Sequence, residues 1–140
     1  MAEFGGTSTL VNELQSLIDQ GQGQSTYTGS VLNSGVGTIK IDIEVSTLFS
    51  FVTLFTMIAP SPDWYVGCLN TNLFDEDNEF VSEKTILGTV FDAGTYSGET
   101  FTSANSDTQP PSPIQVITTP PLAENSIIKP SFCVITFTKK

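Results

Sequence analysis

Along the chain, apolar stretches that read as strands alternate with polar breaks that read as turns, and one helix precedes them. Over residues 9–20, Leu10, Leu14, Leu17 and Ile18 fall at i, i+4, i+7 and i+8, one face of a helix. Ser8 or Thr9 can cap its start and Gly21 can close its end. Residues 26–32 read as a short strand. Residues 38–45 alternate cleanly, with Ile39, Ile41, Ile43 and Val45 on one side and Lys40, Asp42 and Glu44 on the other, the pattern of a half-buried strand. Residues 48–58 are nearly all apolar or β-branched, which predicts a central strand. Further strands are predicted at 64–69, 85–87, 114–118 and 132–138, the last opened by Pro130. Residues 104–113 read as an irregular polar connection. Many short strands separated by Gly/Pro turns predict an all-β fold, an antiparallel β-sandwich with one short N-terminal helix.

Between the apolar run and the strand at residue 64 lies Ala59-Pro60-Ser61-Pro62-Asp63-Trp64-Tyr65-Val66-Gly67. Both prolines lack an N–H and fix φ, so regular pairing stops there and resumes at Trp64. Asp63 is thereby held at the rim between two strands. Trp64 follows it directly, so in a strand its side chain takes the opposite face, toward the core. A second carboxylate in a similar setting occurs in Phe91-Asp92-Ala93-Gly94-Thr95-Tyr96-Ser97-Gly98.

Length adds that 140 residues suit one domain, read as residues 8–140 after a Gly-rich start at 1–7. That start has neither the basic beginning nor the apolar core of a signal peptide. The net charge of −10 argues against nucleic acid and against direct attraction to anionic lipid. The chain has no histidine, which excludes Ser-His-Asp and Cys-His nucleophile systems and His-ligated zinc. Residues 48–58 are too short to span a bilayer as a helix. For Cys68 and Cys133, one disulfide and two buried thiols both remain open.

The chemistry left is that of carboxylates. Glu44, Asp63 and Asp92 all fall at strand ends or loop starts. Calcium takes six to eight hard oxygen ligands, which rim loops supply as carboxylates and backbone carbonyls. The plainer alternative is an aspartate that caps backbone N–H groups. Asp75-Glu76-Asp77-Asn78-Glu79 lacks the glycine and the flanking helices of an EF-hand and reads as a solvated loop.

Pro60–Gly67, Asp92–Gly98 and Thr100-Phe101-Thr102-Ser103-Ala104-Asn105 resemble, in that order, motifs of the spondin domain family. Asp107-Thr108-Gln109-Pro110-Pro111-Ser112-Pro113-Ile114 and the helix near residue 9 fit the same family. The resemblance implies a β-sandwich of the kind found in calcium-dependent membrane-targeting domains. It implies a secreted or cell-surface protein and a bound calcium ion with Glu44, Asp63 and Asp92 as side-chain ligands. Two departures stand out. Tyr96 occupies a position where the family usually has Asp, and the strand that opens the family's domain has no counterpart ahead of the helix.

Two functional readings follow. The first is a non-enzymatic, calcium-binding extracellular adhesion or matrix module, with a surface receptor, a matrix component or an identical subunit as partner. The second is a structural subunit of an extracellular assembly, its open sheet edge completed by a neighbouring chain. A hydrolase using Asp63 and Asp92 as an acid/base pair has no further catalytic constellation behind it.

Overall fold

A computed structural model describes residues 5–124, 127–128 and 132–140. Two compact units are described, one of residues 7–50 and one comprising residues 51–140 with the start of the chain.

In the first unit, helix α1 spans Ser8–Asp19. Its N-cap is Thr7, which makes no side-chain cap bond, so neither Ser8 nor Thr9 has the expected capping role. Its end follows expectation. Gly21 adopts φ +74°, and the N–H groups of Gly21 and Gln22 bond back to the carbonyls of Ile18 and Leu17, a Schellman closure. The strands expected at 26–32 and 38–45 do not form. Side chains take the backbone groups that a ladder would use: the Glu44 N–H donates to the Tyr27 hydroxyl at 3.0 Å, and the Gln24 amide donates to the Glu44 carbonyl at 3.3 Å. The alternation sorts the side chains only in part: Ile39, Ile43 and Val45 are half-buried and Lys40, Asp42 and Glu44 exposed, but Ile41, expected on the buried side, is exposed as well.

Among the described residues, all the strands lie in the second unit. These are β1 (Phe51–Met57), β2 (Trp64–Asn72), β3 (Glu83–Leu87), β4 (Thr89–Asp92), β5 (Gln115–Val116), β6 (Ala123–Glu124), β7 (Ile127–Ile128) and β8 (Val134–Thr138). All pairings are antiparallel. One sheet runs β1-β2-β4-β5, a second pairs β3 with β8, and β6 pairs with β7. The fold is all-β and sandwich-like, with one short helix, as the sequence predicts.

The apolar run at 48–58 becomes β1, an edge strand rather than the central one expected. None of the β1 residues is buried and Phe51 is exposed. Apolarity alone does not set sheet position; β2, not β1, is paired on both sides. Pro130, expected to open the last strand, lies outside the described residues. The acidic stretch at 75–79 is a solvated loop, tightened by the Asp75 carboxylate, which accepts the N–H groups of Asp77 and Glu79.

Alternation along β2 divides the core. Trp64 and Val66 pack with Ile58, Val90 and Leu122, against which Phe101, Ile117 and Cys133 lie. On the other face, Tyr65 stacks on Phe91 with centroids 5.1 Å apart, and Phe55 meets Tyr65 edge-on. The chain changes sheets at Gly88, between β3 and β4, the kind of bend that forms a sandwich corner.

Candidate functional site

The turn from β1 to β2 fixes Asp63. Ser61 occupies its centre, where its hydroxyl donates to the Ile58 carbonyl at 2.6 Å and accepts the Trp64 N–H at 3.1 Å. The Ile58 N–H donates to the Trp64 carbonyl at 2.9 Å and closes the turn. Pro62 and Asp63 are sealed inside, with Asp63 at 0% exposure.

A fully buried carboxylate needs donors, because desolvation penalises its charge. One oxygen of Asp63 is well supplied. Oδ2 accepts the Thr95 N–H at 2.6 Å, the Tyr96 N–H at 2.9 Å and the Thr95 hydroxyl at 3.1 Å. The Asp63 carbonyl also accepts the Ala93 N–H at 3.3 Å. Asp63 therefore ties down the loop that follows β4. Its other oxygen, Oδ1, is buried and has no hydrogen-bond partner.

Asp92 closes β4 directly opposite Trp64 in the β2–β4 register. Its Oδ1 accepts the Gly94 N–H at 2.7 Å, an Asx turn. The Trp64 side chain, directly opposite, favours the ionised form of the same carboxylate. Gly94 sits at φ +74°, and a Cβ there would collide with the Ser112 carbonyl oxygen. The Ser112 N–H in turn donates to the Gly94 carbonyl at 2.8 Å. Glycine is thus required both by the turn and by the close approach of residue 112. Burial pushes the Asp92 carboxyl above its ordinary range, the Gly94 N–H opposes the rise, the Asp63 charge adds to it, and the Trp64 donor opposes it. A cleft of about 270 Å³ opens beside Asp92, lined also by Gly94, Tyr96, Ser112 and Gln115.

Asp63 and Asp92 thus lie at the same end of the β2–β4 pair, close enough to repel. Glu44 belongs to the other unit, where it is exposed. Among the described residues, no group of three or more His, Cys, Asp or Glu side chains is arranged to hold a metal ion. The pair nevertheless suits a hard cation: a buried carboxylate oxygen lacks a donor, and a second carboxylate beside it is destabilised by the first. The sequence reading missed Thr95, the Trp64 indole and Ser61. Asp-Ala-Gly carries a detectable signal for the Asx turn, whereas no local pattern points from Asp63 to Thr95, 32 residues away.

The sequence profile of a family described as Spondin_N matches residues 1–130. Spondin-2 of Homo sapiens is 34% identical over 119 residues, covering 84% of this chain and 35% of that protein. Spondin-2 of Rattus norvegicus is 32% identical over the same length, covering 84% and 36%. Spondin-1 of Gallus gallus is 38% identical over 68 residues, covering 48% and 8%. The chain spans about a third of the length of the two Spondin-2 proteins, 35% and 36%.

Proposed function

The chain belongs to the Spondin_N family, and on that premise we propose that it is a non-enzymatic, calcium-dependent adhesion or matrix module whose rim site is built on Asp63 and Asp92. Membership makes it an extracellular protein of matrix and adhesion context. Among the described residues, no helix is long and apolar enough to cross a membrane.

The observation that carries the calcium reading is the buried, donorless Oδ1 of Asp63 beside the Asp92 carboxylate. An unpaired buried carboxylate oxygen costs on the order of 1–3 kcal/mol or more, so a ligand for it is favoured. Calcium, when bound, supplies the positive charge that both carboxylates lack. Asp63 would offer Oδ1, since Oδ2 is committed to Thr95 and Tyr96, and Asp92 would offer its carboxylate. Glu44 enters the ligand set on the family resemblance alone. Because Asp63 also ties down the loop after β4, cation binding would set the shape of the rim and the cleft beside Asp92, where a protein partner would dock. The non-enzymatic reading rests on the loop N–H groups that both carboxylates hold, a structural use of each. Isothermal titration of the calcium-stripped chain with calcium tests the proposal. Saturable one-site binding that disappears in Asp63→Asn is expected, and no heat of binding in the native chain would overturn it.

A second reading, a subunit completed by a neighbouring chain, is favoured by the sheet edges. Among the described residues, β1 has no strand on its outer side, and Phe51, Leu87 and Val134 are exposed.

A further inference from the structure

We propose that Cys68 and Cys133 form an intramolecular disulfide that clasps the two main sheets together at the Gly88 corner. Both are thiols in the structure, Cys68 buried and Cys133 half-buried.

The argument starts from register. Trp64 pairs with Asp92, Tyr65 with Phe91, Val66 with Val90 and Gly67 with Thr89. One step further along both strands stand Cys68 and Gly88. Cys68 shares the inward face of β2 with Trp64 and Val66, because it follows them at i+4 and i+2. Opposed residues of an antiparallel pair lie on the same face, so the side-chain position of Gly88 also faces inward. Cys133 fills that position. Its Sγ and Cβ lie 3.2 Å from where a Cβ on Gly88 would be, and Val66 Cγ2 lies 2.7 Å from the same point. The Gly88 N–H donates to the Cys133 carbonyl at 3.0 Å, so the backbones are fixed side by side. Cys133 packs on the cluster that contains Val66. Glycine at 88 thus leaves open the space that Cys133 occupies, beside the Cys68 position on the same inward face. Their proximity has an electrostatic trace, since burial raises the Cys133 thiol pKa and the neighbouring Cys68 raises it further.

The chain is extracellular, where disulfides persist. The oxidant is a small-molecule or protein disulfide. The Cys133 thiolate attacks one of its sulfurs and releases the first thiol. The Cys68 thiolate then attacks the Cys133 sulfur of the mixed disulfide and releases the second. Two chain thiols are oxidised, one external disulfide is reduced to two thiols, and both chain protons pass to the released thiols or to solvent.

The test is to fold the chain in a glutathione redox buffer, unfold it without reductant and titrate its thiols. No free thiol, a monomeric mass lower by two hydrogens and a linked peptide containing Cys68 and Cys133 are expected. Reductant should lower the melting temperature of the native chain and leave that of Cys68→Ser unchanged. Two titratable thiols per chain, or a bond found only between chains, would overturn the proposal. If Cys68→Ser fails to fold, Cys133→Ser, at the less buried position, serves for the reductant comparison.

Discussion

Trp64 and Asp92 face each other across β2 and β4, and the indole of one favours the ionised form of the other's carboxylate. The residue that anchors the core thus also holds a site carboxylate. Trp64→Phe should keep the edge-on packing against Phe101 and lose only the donor. A hydrogen bond to a charged group is worth up to roughly 1.5–3 kcal/mol, and the loss in urea unfolding should not exceed that range. In an Asp92→Asn background the same substitution should cost measurably less. Trp64→Ala removes the packing too and should cost about 3–5 kcal/mol.

Chelator should lower the melting temperature of the calcium-equilibrated chain. A ligand bound only by the folded state stabilises it by about 2.7 kcal/mol at a hundredfold excess over Kd. Asp63→Asn should abolish most of the chelator effect. Differential scanning calorimetry with and without chelator measures both.

Asp92 sets a pH dependence of defined sign. Its carboxyl lies above the ordinary value of 3.8 in the folded chain, so the folded state binds that proton more tightly than the unfolded state. Burying the ionised form therefore subtracts stability above the folded pKa, and the loss fades as pH falls through that value and then through 3.8. In chelator, Asp92→Asn should gain most relative to the native chain at neutral pH and lose that advantage on acidification. Denaturant unfolding across that range reads the difference.

Gly94→Ala should destabilise the chain by at least 1–3 kcal/mol, because alanine is strained at φ +74° and its methyl meets the Ser112 carbonyl. It should also weaken calcium binding, since the Asp92 turn bends at this glycine. Thermal melts and calcium titration of the variant check the two effects separately.

Under the assembly reading, light scattering on the purified chain should show a species larger than the monomer, and charged substitutions at Leu87 and Val134 should reduce it. A stable monodisperse monomer at all concentrations would remove that reading.

How much of this was legible depended on whether the signal was local. The 3.6 periodicity and Gly21 delimited α1, and the strand that resumes after Asp63 placed Trp64 inside. The proline-flanked Asp63 and the Asp-Ala-Gly turn located both carboxylates on the rim. Residues 38–45 alternate as a strand should, yet alternation specifies a buried side rather than a hydrogen-bonding partner, and Tyr27 and Gln24 supply that role instead. The bond from Thr95 to Asp63 depends on tertiary geometry, so no window of sequence contains it. The meeting of Cys133 with Gly88 was hidden for the same reason.

The β3–β8 pairing governs how the chain is made. Thr85 meets Thr136, 51 residues later, hydroxyl to hydroxyl at 3.0 Å. At about 5–20 residues per second, a ribosome needs roughly 3–10 s to add that interval. The four-stranded sheet is complete by Val116 and can close first, while β3 waits without a partner. During that wait β3 presents bare N–H and C=O groups, the template on which nascent chains on one messenger pair with each other. Slow decoding between residues 88 and 133 would lengthen the exposure, so the hazard to this domain is greatest while it is still being translated.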